Sequence, residues 1–173
     1  MFEREMIELV RSTHDMLTEE NELEITAKGR ANFVTQMDVA VQEYMRTHLQ
    51  KIDRDVILLS EEQDNSLTMD PDGRYWILDP IDGTQNFIRH FDMSAVSLAY
   101  YAQGLLQTAV VYNPFTDELF HAVRGGGAFL NGKPIHVTGN GALSHCLVAI
   151  GTSPYDRQYT EKNFPLFQAM YSQ

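Results

Sequence analysis

The chain has 173 residues, of which 43% are hydrophobic and 21% charged, and it carries a net charge of −11 at pH 7. A chain of this length and composition can build the core of one domain or slightly more, which excludes a disordered protein. The acidic balance, without any basic run, also excludes a nucleic-acid backbone as an expected partner. An acidic protein that acts on phosphate groups needs bound cations to offset the repulsion.

The N-terminus and the single cysteine bear on the cellular compartment. The first residues, MFEREMIELVR, lack the apolar stretch of a signal peptide, and no apolar run reaches the roughly 18 residues that a membrane span needs. Cys146, the only cysteine, lies in the apolar run CLVAI and is predicted to be a buried small hydrophobic residue. Because one cysteine cannot form an internal disulfide, we expect the protein in the reducing cytoplasm.

The first part of the chain predicts two amphipathic helices and two strands. The second helix begins near Thr35 and places Met37, Val41 and Met45 on one apolar stripe. In chain order the expected elements are a helix over 3–19, a strand over 22–27, a loop over 28–32, a helix from 35, a strand over 55–62 and an exposed turn region over 65–73.

The second part of the chain alternates short apolar runs with turn signals, of which Asn131-Gly132 is the strongest. These runs predict antiparallel strands over 94–101, 106–113, 118–123 and 133–137, then a buried strand HCLVAIGT over 145–152 and a helix over 157–172. Helices followed by an antiparallel run predict an α+β layered fold.

Acidic residues follow the two apolar strands of the first part. Glu61 and Glu62 end the run VILLSEE, Asp79 and Asp82 lie in the run YWILDPID, and Asp38 lies at the start of the second helix. If the two strands are neighbours, their ends bring these carboxylates together, and the like charges destabilise the fold unless a cation neutralises them. Oxygen ligands without a nearby His-Cys cluster favour Mg²⁺ over Zn²⁺.

The residues after Asp79 suggest how metal and phosphate share one corner. Pro80 restricts the turn and leaves the carbonyl of Ile81 as a neutral metal ligand. Gly83 allows a close backbone approach, and a helix that begins near Thr84 aims N–H groups at an anion. The alternative is that the aspartates are only turn and N-cap residues, but the glutamate pair after a separate strand favours the site.

These motifs resemble the inositol monophosphatase family of Mg²⁺-dependent, lithium-sensitive phosphatases. WILDPIDGTQNF (76–87) resembles the family signature, NFVTQMD (32–38) its DxVTxxD element, LLSEE (58–62) its GEE element and AVVYNPFTDELFHAVRGGGAFLNGKPI (109–135) its hairpin region. The resemblance covers nearly all of residues 5–173. It implies the layered α/β sandwich of the inositol monophosphatase and fructose-1,6-bisphosphatase type, and a homodimeric phosphate monoester hydrolase.

The resemblance also implies the cofactor and its ligands. Glu61, Asp79 and the carbonyl of Ile81 would hold the first Mg²⁺ ion, and Asp79 and Asp82 would share the second. The complete family site holds two or three such ions. Glu62, next to a metal ligand, would support it from behind.

The same resemblance implies the catalytic roles. Gly83 and Thr84 would bind the phosphate through backbone N–H groups. Thr84 would pair with Asp38 to orient or deprotonate a metal-activated water, which attacks phosphorus in line, with Glu61 as the third catalytic residue. Lys28 corresponds to the lysine that precedes the DxVTxxD element, although the spacing is one residue short.

The chain departs from the family pattern at three single positions and in one larger feature. Asn32, Ser60 and Gln85 replace the usual Asp, Gly and Thr. The WDxAAG-type element, which supplies another aspartate to the second metal and residues that grip the substrate, has no counterpart before Gln173. We therefore expect residues 1–140 to form an α+β metal-binding domain, with two helices on an antiparallel sheet. Residues 141–173 would begin a truncated C-terminal α/β domain, with the second metal site weakened.

Three alternatives to an inositol phosphate phosphatase stay open. A sugar-bisphosphate or nucleotide phosphatase of the same superfamily shares the same core. A haloacid-dehalogenase-type phosphatase has a DxDGT motif, but here the aspartates are three residues apart instead of two. A catalytically impaired chain that only binds metal or a partner is compatible with the missing C-terminal element. In every case the expected substrate or partner is neither a nucleic acid nor a membrane.

Overall fold

A computed structural model describes residues 2–19, 24–29, 32–63, 69–139, 141–149 and 159–171. The helices are α1 (Glu3–Arg11), α2 (His14–Thr18), α3 (Gln36–Ile52), α4 (Thr84–Ile88) and α5 (Thr160–Tyr171). The strands are β1 (Ile25–Gly29), β2 (Asn32–Thr35), β3 (Ile57–Ser60), β4 (Tyr75–Asp82), β5 (Ala95–Ala102), β6 (Leu105–Asn113), β7 (Glu118–Val123), β8 (Gly127–Leu130) and β9 (Lys133–Ile135). None of the described helices combines the length and the apolar character that crossing a membrane requires.

Strands β3 to β9 form one seven-stranded sheet in which each strand pairs with the next along the chain. β3 runs parallel to β4, and every later pair is antiparallel. β1 and β2 form a separate antiparallel hairpin. The mixed sheet with packed helices confirms the α+β prediction, whereas the purely antiparallel sheet expected for the first domain is wrong at β3. β3 ends at Ser60 and β4 begins at Tyr75, so a long stretch of sequence separates the two parallel strands, as a parallel pair requires.

The core lies between one face of this sheet and the helices. β5 alternates buried and half-buried residues, so that Val96, Leu98 and Tyr100 point to the same side. α1 packs against β5, β6 and β7, and α3 packs against β4. Trp76 is buried there, with its ring against the rings of Phe2 and Tyr100. The predicted stripe of the second helix is confirmed, since its apolar residues face this core.

The N-terminal predictions hold with two corrections. The expected helix over 3–19 is two helices, because the hydroxyls of Ser12 and Thr13 donate to the carbonyls of Leu9 and Val10 and end α1. The expected loop over 28–32 is wrong at both ends, since β1 continues to Gly29 and β2 begins at Asn32. The hairpin pairing between these strands accounts for the difference. Residues 22, 23, 30 and 31 lie outside the described residues.

The strand region is confirmed, with one addition and a shorter final strand. β5, β6 and β7 agree closely with the expected runs, and β9 ends at Ile135. β8 is the addition to the expected strands, and it begins at Gly127 in a glycine-rich stretch. It pairs with both β7 and β9. Residues 69–73 form the expected exposed turn, and residues 64–68 lie outside the described residues.

The C-terminal stretch departs most from expectation. The predicted strand over 145–152 is wrong within its described part, because His145 ends a 3₁₀ turn (Leu143–His145) and residues 146–149 are irregular. Residues 150–152 lie outside the described residues. Cys146 is exposed, which corrects the prediction that it is buried, and its thiol donates to the carbonyl of Ala142 at 3.4 Å. Apolar character alone does not bury a segment that lacks a facing surface. The expected C-terminal helix is confirmed as α5.

Candidate functional site

The ends of β3 and β4 lie side by side because the two strands are parallel neighbours. Ser60 pairs with Leu78, and the backbone N–H of Glu61 donates to the Leu78 carbonyl at 3.2 Å. The carboxyl group of Glu61 lies close enough to that of Asp79, the residue after Leu78, to raise its pKa. The structure therefore brings together two of the predicted ligands that are separated by a long stretch of sequence.

Asp79 occupies an environment that resists a negative charge. Burial, followed by the charges of Glu61 and Asp82, raises the pKa of Asp79 to about 7. The hydrogen bond to Glu61 raises it further, since it favours the protonated Asp79 carboxyl as donor. A hydrogen bond from the backbone of Ile81 acts in the opposite direction. Of the carboxylates expected to meet, Glu61 and Asp82 are therefore close enough to act on Asp79.

Asp82 contributes to this field from a more exposed position. It ends β4 and pairs with Ala95 of β5, after an irregularity in the ladder between Asp79 and Asp82. Among the described residues no group of three or more His, Cys, Asp and Glu side chains is arranged to hold a metal ion. The three predicted carboxylates are thus a contacting pair with Asp82 nearby, instead of a preformed cluster.

The donor set nevertheless fits a hard divalent cation. Glu61 and Asp79 are in contact, and Asp82 is close enough to raise the Asp79 pKa. A cation among these carboxylates would offset the repulsion that raises the pKa of Asp79. Carboxylate oxygens and the Ile81 carbonyl are ligands of the type that Mg²⁺ prefers.

Gly83 turns the chain from β4 into α4. Its φ is +83°, the left-handed region that glycine tolerates best, and it is the N-cap residue of α4. A Cβ at this position would lie 2.9 Å from the carbonyl oxygen of Met93, so the backbone packing also requires glycine. The Gly83 carbonyl accepts hydrogen bonds from the N–H groups of Asn86 and Phe87.

Thr84 and Asp38 meet across 46 positions of sequence. The Thr84 hydroxyl lies 3.3 Å from Asp38 Oδ1 and 3.1 Å from the Ile81 carbonyl oxygen. Asp38 is buried and accepts hydrogen bonds from the N–H and hydroxyl of Thr35 through Oδ2. The expected contact between Thr84 and Asp38 is therefore found in the structure.

Thr35 holds Asp38 in place, a role that the sequence analysis did not predict. Its hydroxyl accepts hydrogen bonds from the N–H groups of Met37 and Asp38, while the Asp38 carboxylate accepts one from the Thr35 N–H, and together these bonds form a capping box. This box fixes the carboxyl of Asp38 at the start of the helix. The spacing Thr35-x-x-Asp38 was the available signal.

The two remaining predicted residues are less informative. Glu62 is half-buried in the turn after β3. The backbone of Lys28 belongs to β1, and its side chain lies outside the described part of the structure. The supporting roles expected for both residues stay predictions.

The sequence profile of the inositol monophosphatase family matches residues 3–172. The chain belongs to this family. It is 41% identical over 130 residues to the Inositol-1-monophosphatase of Rhizobium meliloti, covering 75% of this chain and 48% of that protein. It is 35% identical over 137 residues to the Nus factor SuhB of Salmonella typhimurium, covering 79% and 51%.

Solved structures of the family share the fold. The IMPase of Thermotoga maritima aligns with a TM-score of 0.73 at 32% identity, over 83% of this chain and 56% of that one. An IMPase/NADP phosphatase complexed with Mg²⁺ and phosphate aligns with a TM-score of 0.66 at 28% identity, over 76% and 49%. The chain spans about half the length of the curated relatives that it matches.

Proposed function

We propose that the chain carries the metal-binding half of a phosphate monoester hydrolase of the inositol monophosphatase type. The observation that carries the proposal is the contact between Glu61 and Asp79 at the ends of two parallel strands, beside the Thr84–Asp38 pair. Carboxylates crowded in this way are costly unless they hold a cation. A relative of the same fold has been solved with Mg²⁺ and phosphate, which supports this choice of ligands.

Glu61, Asp79 and the Ile81 carbonyl are proposed to hold the first Mg²⁺ ion, and Asp79 with Asp82 the second. When bound, Mg²⁺ would supply Lewis-acid chemistry that activates water and stabilises charge on the leaving oxygen.

Thr84 and Asp38 are proposed to orient the attacking water. The Thr84 hydroxyl has one proton, which it donates either to Asp38 or to the Ile81 carbonyl. In both cases its oxygen keeps a lone pair that accepts a hydrogen bond from water. Asp38 already accepts two hydrogen bonds from Thr35, which hold the carboxylate in place.

Gly83 and Thr84 are proposed to bind the phosphate through their backbone. Gly83 supports this role because it turns the chain directly from β4, which carries Asp79 and Asp82, into α4 at a φ of +83°. The substrate proposed first is an inositol monophosphate, since the Rhizobium relative carries that name. A cytoplasmic homodimer is proposed on the strength of the family alone.

Hydrolysis of inositol 1-phosphate and of p-nitrophenyl phosphate, followed over a Mg²⁺ titration, tests the proposal. Turnover should appear with Mg²⁺, disappear with chelator and decrease at least a hundredfold in Glu61→Gln. Glu43→Gln, an exposed charge change on α3, is the matched control and should leave turnover unchanged. A trapped phosphoenzyme would favour the dehalogenase-type mechanism. Lack of turnover at every Mg²⁺ concentration would favour a chain that only binds metal or a partner.

A further inference from the structure

Two side chains tie the segment that contains Asp82, Gly83 and Thr84 to the start of β5. Ser94 Oγ donates to the Gly83 carbonyl at 3.0 Å. In the opposite direction, Asn86 Nδ2 donates to the Met93 carbonyl at 2.8 Å. Met93 and Ser94 are adjacent in the chain, and their partners Asn86 and Gly83 lie close to each other. The two bonds therefore act across the same backbone contact.

This contact lies just beyond the end of the β4–β5 ladder. The ladder is irregular between Asp79 and Asp82, and the pair of Asp82 with Ala95 is its last before Gly83. The backbones of Gly83 and Met93 approach so closely that a Cβ on Gly83 would lie 2.9 Å from the Met93 oxygen. Side-chain hydrogen bonds therefore supply what the ladder does not.

Ser94 is buried, with 4% of its surface exposed, although it lies just before a strand. A buried hydroxyl is costly without a partner, and its partner here is a carbonyl that belongs to the candidate site. The Gly83 carbonyl also accepts the N–H groups of Asn86 and Phe87, which begin α4. Loss of the Ser94 bond would thus loosen the first turn of α4 as well as Gly83.

We propose that Ser94 and Asn86 are positioning residues that hold Gly83 in place, and with it the carboxylate of Asp82 and the hydroxyl of Thr84. Neither residue needs to touch substrate or metal. The positioning of the backbone is independent of the proposed function, and its consequence for Mg²⁺ rests on that function. Partners that orient metal ligands typically change metal affinity or activity by 10- to 100-fold when removed.

The test compares Ser94→Ala with the rescue variant Ser94→Thr and the control Ser12→Ala. Ser12 also donates a hydroxyl to a backbone carbonyl, that of Leu9, but lies between α1 and α2. Amide hydrogen exchange at Asn86 and Phe87 reports the positioning without metal. Mg²⁺ affinity by calorimetry reports its consequence, and the thermal midpoint reports global stability.

Ser94→Ala should accelerate exchange of the Asn86 and Phe87 amides about tenfold and weaken Mg²⁺ binding about tenfold. Ser94→Thr should restore both quantities, and Ser12→Ala should change neither. Asn86→Ala, alone and combined with Ser94→Ala, should show non-additive effects, because the two bonds share one backbone contact. This pair keeps the test available if one variant folds poorly.

Unchanged exchange at Asn86 and Phe87 in Ser94→Ala would overturn the proposal. So would equal acceleration in Ser12→Ala, which would indicate general loosening. If the wild-type chain binds no Mg²⁺ while Ser94→Ala still accelerates exchange, the proposed function fails and the positioning role stands. If Mg²⁺ binds equally well to wild type and Ser94→Ala despite faster exchange, the positioning does not extend to the metal ligands.

Discussion

The site region and the C-terminal stretch are both rich in apolar residues, yet they differ in burial. The site region, β3 to β5 with α3 and α4, buries Asp38, Leu78 and Leu98. In the C-terminal stretch, over 141–149 and 159–171, none of the described side chains is buried, and Leu147 is fully exposed. This difference in burial shows that a segment is buried when another surface packs against it, and that apolar composition alone is not sufficient.

Among the described residues, helices cover one side of the sheet. α1 and α3 cover the side that carries Leu98 and Val110. On the opposite side Val111 and Phe120, which pair with each other, stay 38% and 40% exposed. The described C-terminal residues thus coexist with an apolar surface that they leave exposed.

The largest contrast should appear when one leucine is shortened in each region. Leu98→Ala should lower the free energy of unfolding by about 2–5 kcal/mol, because it leaves a cavity in the core. Leu166→Ala in α5 should change it by less than about 0.5 kcal/mol, since Leu166 is largely exposed. Urea unfolding measures both. A comparable loss in Leu166→Ala would show that α5 is packed in solution.

A glycine pair sharpens the same comparison at the level of the backbone. Gly83→Ala should cost about 1–3 kcal/mol, since it combines a left-handed φ with a close contact to the Met93 oxygen. Gly141→Ala should be nearly neutral, because the described structure places no atom within 4 Å of a Cβ there. Thermal unfolding of both variants is the measurement. If Gly83→Ala is neutral, the turn before α4 is not held as described.

Asp82→Asn should remove most phosphatase activity and leave the metal-free fold intact or stabilised by up to about 0.5 kcal/mol. The reason is that it deletes one of the charges that raise the Asp79 pKa. Wild type should gain stability with Mg²⁺ by mass action, and the variant should gain about 1 kcal/mol less. Melting curves in chelator and in excess Mg²⁺ give both values. Equal gains would argue against Asp82 as a ligand.

The smallest effect concerns association between chains. The exposed apolar side chains of α5, including Phe164 and Tyr171, together with Val111 and Phe120, favour weak self-association. Phe164→Ser should raise the dissociation constant of self-association roughly fivefold, which corresponds to about 1 kcal/mol of binding free energy. Glu161→Gln on the same helix serves as the control. Sedimentation over a range of concentrations checks this, and a strictly monomeric wild type contradicts it.

The local features of the fold and of the candidate site could be predicted from the sequence. The strands β5 to β7 follow from alternation of apolar residues, since successive side chains of a strand point to opposite faces. The helix that begins near Thr35 follows from its apolar stripe, and the acids at the ends of β3 and β4 are visible at the ends of two apolar runs. The signature around Asp79 and Asp82 also indicated the family that the profile match established.

The contacts between these local features depend on the tertiary structure and could not be predicted from the sequence patterns. The parallel pairing that places Glu61 against Asp79 depends on a long connection, and the contact between Thr84 and Asp38 joins residues far apart in sequence. No sequence pattern around Ser94 or Gly83 predicts the hydrogen bond between them. The exposure of Cys146 was likewise decided by the absence of a facing surface in the described structure. The periodicity of a sequence describes a single segment. Burial and contact depend on two surfaces that pack together, and the sequence pattern of one segment does not identify the other surface.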